Sequence, residues 1–358
     1  MSGNRYELPQ KLQNLTPYDP LTGHYRIRLD ANESFLSPPP ELMEELMAAV
    51  MAVDFNRYPD PYAVELCEKC AAFFGVDPSM VVAGNGSDEL IGLIVSWFTE
   101  PDDTMAVVRP DFSMYSFYAQ PCGLRLLAID KDPDTLALDA DALIARAREA
   151  DARLLIFSNP CNPTSLAATR ADVLKIVDGL PGCLVVVDEA YMDFWDQSLL
   201  REAAQYDNLI ILRTCSKAIG LAGIRLGFAV ANEMLTRVIR SVKSPYNVNS
   251  VSQALGCVAF SHPEQLRRNI ERLIVSREAL YRLFQSLAAD FPGKVEIVRP
   301  VTNFVWAKCE RAGELFDALK RQGIIVRRMG EYLRVTAGRN HENEKAADAI
   351  RFFYTEKG

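Results

Sequence analysis

The 358-residue chain has only three histidines, His24, His262 and His341. That is thin material for a histidine-based metal site or a Ser-His-Asp triad. Neither Gly-x-Ser-x-Gly nor His-Glu-x-x-His occurs, so the hydrolase and zinc-protease signatures are missing. No continuous apolar run approaches the ~20 residues that a membrane-spanning helix needs. There is no block of basic residues, and the net charge is 39 − 47 = −8. Such a chain is a poor ligand for nucleic acid or an anionic membrane, though it can still hold small anions locally. The opening Met1-Ser2-Gly3-Asn4 has no basic stretch leading into an apolar core, so no secretory signal is expected. The eight cysteines are scattered, as expected of reduced thiols in the cytosol. Cys67 and Cys70 have CxxC spacing but no second pair, and they lie in a helical pattern, so packing is expected of them rather than zinc or redox chemistry.

What is present is the composition of an ordinary globule, 49% apolar and 24% charged. The length suggests roughly two domains. Residues 1–30 lack periodicity and read as an arm. From about residue 80, seven β-prone runs alternate with helical stretches: 81–83, 105–108, 126–129, 154–157, 184–187, 209–212 and 226–230. Several are continuous and apolar, as strands buried on both faces are. They predict an α/β domain over 31–245 with a mostly parallel seven-stranded sheet between helices. Beyond it, an amphipathic helix over 271–290 and runs at 295–298, 304–307, 324–326 and 332–335 predict a smaller α+β domain over 246–358.

Ligands of open α/β sheets bind beyond the carboxyl ends of the strands. Polar groups of complementary kinds follow those ends here. Gly86-Ser87-Asp88 follows the first run and opens a helix. Asn162-Pro163-Thr164 follows the fourth, Asp188 to Tyr191 the fifth, and Thr214, Ser216, Lys217 and Arg225 the sixth. Each has a bland explanation when taken alone: a helix cap, a turn, a surface lysine. Gly86–Asp88 is not a Walker loop, since no Lys-Ser or Lys-Thr follows the glycines. Together they supply a Schiff-base lysine, a carboxylate for a pyridinium nitrogen and a phosphate site, which is what pyridoxal phosphate requires. In that arrangement Asp188 keeps the ring nitrogen protonated, and Tyr191 and Asn162 reach the ring hydroxyl. Thr214, Ser216 and Arg225 join the Gly86, Ser87 and Asp88 amides at the phosphate. Positive charge on Arg225 is also expected to lower the pKa of Lys217.

The segments NPCNPT, VVVDEAYMDF and RTCSKAIGLAGIRLGF resemble the signatures of fold-type-I, class I/II aminotransferases. RLDANES, NRYPDP, GNGSDELI, SPYNVNSVSQ and YLRVTAG are similar, in order, to segments of the histidinol-phosphate aminotransferase family. The resemblance runs from about Tyr18 to the C-terminus. It implies that Lys217 carries the cofactor and moves the Cα proton. It implies that Phe112 stacks on the ring, and that Tyr58 reaches the cofactor phosphate of a neighbouring subunit in a homodimer with shared sites. Arg334 is implied to grip the substrate α-carboxylate and Arg327 to help bind a distal phosphate. Tyr18 and Asn32 are implied to lie in segments that close over the substrate.

Four positions depart from the family pattern. Ser165 replaces the usual Gly after Asn-Pro-Thr, Cys215 stands where an apolar residue is common, and Asp111-Phe112 replaces Thr-Tyr. The stretch between Arg327 and Arg334 is short, which suggests a broadened donor range. The resemblance implies amino transfer from histidinol phosphate to a 2-oxo acid, 2-oxoglutarate, in histidine biosynthesis. The rivals are a broad-range aromatic transaminase, a threonine-phosphate decarboxylase and a non-catalytic binding module. The intact set of Lys217, Asp188, Tyr191, Asn162 and Arg225 argues against the last.

Overall fold

The computed structural model describes residues 6–9, 11 and 21–357, and Tyr18 lies outside the described residues. The strands form two sheets. β1 (Ile27–Leu29) lies within the expected arm. The seven apolar runs become β2 (Val81–Gly84), β3 (Thr104–Arg109), β4 (Arg125–Asp130), β5 (Ala152–Ser158), β6 (Leu184–Asp188), β7 (Leu209–Thr214) and β8 (Gly227–Val230). The C-terminal part adds β9 (Val295–Ile297), β10 (Phe304–Cys309), β11 (Ile324–Met329) and β12 (Tyr332–Thr336).

The larger sheet has the order β2-β8-β7-β6-β5-β3-β4. Its pairings are parallel except where β8 meets β7 and β2. Val185, Val186 and Val187 of β6 and Ile210, Ile211 and Leu212 of β7 are fully buried. This is why these strands read as unbroken apolar runs: helices cover both faces and leave no polar alternation. The parallel strands deliver Gly84, Arg109, Ser158, Asp188 and Thr214 to the same edge, and the loops that follow carry the candidate residues.

The second sheet has the order β1-β11-β12-β10-β9. β1 pairs in parallel with β11, placing Leu29 opposite Val326, so the end of the arm is a strand of this sheet. Three residues are too few for periodicity to announce. The helix expected over 271–290 runs over Pro263–Asp290, starting on a proline at its first turn, where the missing N–H costs nothing. Arg327 and Arg334 are cross-strand partners on β11 and β12. The short stretch between them is a tight hairpin with Gly330 at φ +62°.

Ser165 stitches the two sheets together. Its backbone has φ +61°, a conformation that favours the glycine it replaces. Its buried hydroxyl hydrogen-bonds Thr302 Oγ1 at 2.6 Å and accepts the N–H groups of Val301 and Thr302, just before β10. Those bonds offset the backbone strain.

Candidate active site

A cavity of about 690 Å³ opens at the shared strand edge of the larger sheet and is closed on one side by β11 and β12. Asn32, Ser87, Asp88, Phe112, Asn162, Asp188, Tyr191, Thr214, Ser216, Lys217, Arg225, Arg327 and Arg334 all line it. Gly86 lies behind this wall, against Arg225. Tyr58 does not line it. That ring is 81% exposed and stacks on Tyr246 with centroids 4.5 Å apart.

One end of the cavity is built for an anion. The helix Ser87–Trp97 begins there, and its first turn leaves N–H groups without intrahelical partners. Arg225 is exposed beside it, with Nη2 at 3.6 Å from Asp88 Oδ2. Thr214 Oγ1 donates to Ser216 Oγ at 3.1 Å and accepts the Ser216 N–H. Two glycines make room for this approach. A Cβ on Gly86, whose φ is +82°, would lie 2.6 Å from Arg225 Nη2. A Cβ on Gly227 would lie 2.4 Å from the Ser87 backbone nitrogen.

Asp188, at the end of β6, is buried. Tyr115 Oη donates to its Oδ2 at 2.8 Å, and the Ala190 N–H donates to Oδ1 at 3.0 Å. Burial pushes the carboxyl up to about 6, and the two hydrogen bonds pull it back. It is therefore an ionised group at neutral pH that lacks a cationic partner among the described residues, as a carboxylate waiting for a pyridinium would be. Tyr115 is itself part of the hydrophobic core. Its role depends on how the helix Met114–Cys122 seats on the sheet, which no local spacing reveals.

Tyr191 follows Asp188 by three residues, and a single 3₁₀ turn, Met192–Phe194, succeeds it in place of a longer helix. Its hydroxyl accepts from Asn32 Nδ2 at 2.8 Å. Burial pushes Tyr191 up to about 12, so it is a neutral donor. Asn32 also accepts from Thr336 Oγ1 at 3.0 Å, so its amide is fixed from the β12 side.

Lys217 is half-buried, and its Nζ donates to the Ala31 carbonyl at 3.1 Å. Its pKa is lowered to about 8, by burial first and by Arg334 second. Arg225 also lowers it, but ranks last among the causes. The lowering expected from Arg225 is present, and Arg334 is the cation with the larger effect on the amine.

Arg334 is itself buried. It donates from Nη2 to the Asp30 carbonyl at 2.7 Å and from Nη1 to Asn162 Oδ1 at 2.5 Å. Asn162 thus meets Arg334 across the cavity. Arg327 is half-buried at the same wall.

These groups fit pyridoxal phosphate. The cavity offers an anion cradle with room made by missing Cβ atoms, a buried carboxylate with no cationic partner among the described residues, and a lysine of depressed pKa.

The profile described as "Aminotransferase class I and II" matches residues 26–350. The chain belongs to that family. Within it, the chain is 35% identical to a histidinol-phosphate aminotransferase of Clostridium novyi over 345 residues, covering 95% of each chain. It is 34% identical to one from Pyrococcus furiosus over 351 residues, covering 97% of this chain and 98% of the other. Among solved structures, a Sinorhizobium meliloti histidinol-phosphate aminotransferase in complex with pyridoxal 5'-phosphate superposes with a TM-score of 0.85. That pair shares 22% identity and covers 98% and 99% of the two chains. The protein is a pyridoxal-phosphate-dependent aminotransferase of fold type I.

Proposed function

We propose that the protein transfers the amino group of histidinol phosphate to 2-oxoglutarate, in a cytoplasmic homodimer with shared active sites. The observation that carries the substrate assignment is the cross-strand pair Arg327 and Arg334 on the cavity wall opposite Lys217. Same-face neighbours on paired strands can present two guanidinium groups to one anion. The donor brings a phosphate monoester to this pair. The acceptor brings carboxylates to the same pair, so one wall serves both half-reactions. The histidinol-phosphate aminotransferases of Clostridium novyi and Pyrococcus furiosus support this choice.

Pyridoxal phosphate, when bound, supplies a ring that accepts the electrons released when the donor loses its Cα proton. The protein's own residues do the rest. Ser87, Asp88, Thr214, Ser216 and Arg225 hold the cofactor phosphate. Asp188, oriented by Tyr115, keeps the ring nitrogen protonated. Tyr191 and Asn162 hold the ring hydroxyl, and Phe112 covers one face. Lys217 Nζ, neutral over part of the working pH range, takes the proton from Cα and returns it on the cofactor side. Arg334 and Arg327 fix the substrate so that the Cα–H bond faces Lys217. Tyr58 reaches the site of the other subunit.

The test is an amino-donor panel with 2-oxoglutarate as acceptor, following glutamate and carbon dioxide together. Histidinol phosphate should give glutamate without carbon dioxide and the highest kcat/KM of the panel. Preference for an aromatic amino acid would make the protein a broad-range transaminase. Carbon dioxide release from threonine phosphate would make it a decarboxylase.

A further inference from the structure

Asp111 stands where the family pattern has threonine, and the structure gives it an unusual setting. It follows β3, whose loop carries Phe112. Its Oδ1 accepts the Phe112 N–H at 2.7 Å. Its Oδ2 accepts the Ser158 N–H at 3.1 Å, at the end of β5 and 47 residues away. The Ser158 hydroxyl also donates to Asp111 Oδ1. That hydroxyl in turn accepts the Asn162 N–H at 3.1 Å. One carboxylate therefore receives three donors and relays a fourth. Both oxygens act as acceptors, which is the bonding pattern of the ionised form.

Lys131, beyond β4, spans the same two loops. It is 8% exposed, and its Nζ donates to the Pro110 carbonyl at 3.0 Å and to Cys161 Sγ at 2.9 Å. Pro110 adjoins Asp111, and Cys161 adjoins Asn162. Cys161 Sγ also donates to the Pro110 carbonyl at 3.5 Å. Lys131 and Asp111 attract each other by charge, which balances a half-buried carboxylate with a buried ammonium.

We infer that Asp111, Lys131 and Cys161 form a clamp of positioning residues that sets the Phe112 loop against the Asn162 loop, and so fixes the gap in which the cofactor ring sits. None of the three is needed as a reacting group. The inference rests on the site assignment above, because it takes Phe112 and Asn162 as the residues flanking the ring. Asp111 also acts on Asp188, raising its pKa by charge. The clamp thus bears on the ring from its face, its hydroxyl and its nitrogen.

The test uses four single variants of the full chain and the double variant Asp111→Asn/Lys131→Met. Asp111→Asn places an amide N–H against the Ser158 N–H. Lys131→Met removes the balancing charge. Cys161→Ala and Cys161→Ser remove and restore a polar acceptor for Lys131. Cofactor affinity is measured by equilibrium dialysis of the cofactor-free protein, alongside kcat, donor KM and thermal midpoint. Asp111→Asn and Lys131→Met should each weaken pyridoxal phosphate binding by roughly tenfold to a hundredfold, the scale of a lost hydrogen bond to a charged group. Both should lower kcat and leave donor KM near that of the unaltered protein. The double variant should bind the cofactor better than the sum of the two losses predicts, because no charge is left unbalanced. Cys161→Ser should recover what Cys161→Ala loses.

Unchanged cofactor affinity in Asp111→Asn and Lys131→Met overturns the clamp. So does a fall in midpoint alone, which marks a merely structural pair. Should either of those variants fail to fold, the Cys161 pair decides: equal affinity in Cys161→Ala and the unaltered protein overturns the clamp. Failure of the unaltered protein to bind pyridoxal phosphate instead sinks the site assignment, and is told apart by that arm.

Discussion

Asp188 and Lys217 are both held in protonation equilibria that burial has moved. Asp188 is raised to about 6 from a usual carboxylate value of 3.8. Above about pH 6 the folded protein carries a charge that burial disfavours, and below the unfolded value the acid is neutral in both states. The penalty is therefore present at neutral pH and vanishes as pH falls below about 4. Asp188→Asn keeps an acceptor for the Ala190 N–H and lets Tyr115 pair with the amide. The cofactor-free variant is expected to be more stable than the parent by about 1–3 kcal/mol at pH 8, and equal to it near pH 3.5. Transamination is expected to fall at least a hundredfold, because a neutral amide cannot hold the ring nitrogen protonated. Denaturant unfolding at the two pH values, paired with turnover, checks this. A variant that is less stable at pH 8 contradicts it. That Lys217, Asp188, Tyr191 and Asn162 line one cavity was legible in the sequence, because each ends, or lies within four residues of the end of, a strand that announces itself. Tyr115, Ser158 and Lys131 were not. Their partners lie 73, 47 and 30 residues away in sequence, and only the packed sheet brings them together.

At the scale of elements, the hairpin of β11 and β12 has the most consequence for substrate choice. Its register places Arg327 opposite Arg334, and the Gly330 turn keeps the two strands in step. The family resemblance implied a substrate role for both arginines, and both line the cavity. Their direct pairing depends on a two-residue turn that spacing alone leaves open. Arg334 is also held from two sides, by the Asp30 carbonyl and the Asn162 side chain. A lysine cannot reproduce that fork. Arg334→Lys is expected to raise the KM for 2-oxoglutarate by roughly ten- to a hundredfold while lowering kcat less, the scale of a lost charged hydrogen bond. Steady-state kinetics with varied acceptor checks it; an unchanged KM contradicts it. Strands such as β6 and β7 were readable because both faces are buried and their centres are continuous apolar runs. β1 was not, since Ile27, Arg28 and Leu29 give too short a pattern. The reversal of β8 against its neighbours was equally hidden, because an apolar run does not report its direction.

At the scale of the whole molecule, two sheets enclose one cavity, and Ser165 and Asn32 bind them together around it. The chain carries a net charge of −8, while Lys217, Arg225, Arg327 and Arg334 concentrate positive charge at the cavity. Tyr58 stands outside that cavity on an exposed surface with Phe55 and Tyr62. In the proposed dimer it serves the partner's site, which makes a mixed-dimer experiment decisive. Tyr58→Ala and Lys217→Ala should each be impaired alone. Co-expressed, they should regain activity, since one site of each mixed dimer then holds an intact Lys217 and an intact Tyr58. No recovery on mixing, or no defect in Tyr58→Ala alone, contradicts shared sites.

The central claim is that Lys217 carries pyridoxal phosphate. Borohydride reduction of the cofactor-loaded protein, followed by peptide mapping by mass spectrometry, tests it most directly. The account predicts a single pyridoxyl adduct on the peptide containing Lys217. An unmodified Lys217, or an adduct on a different lysine, would contradict it.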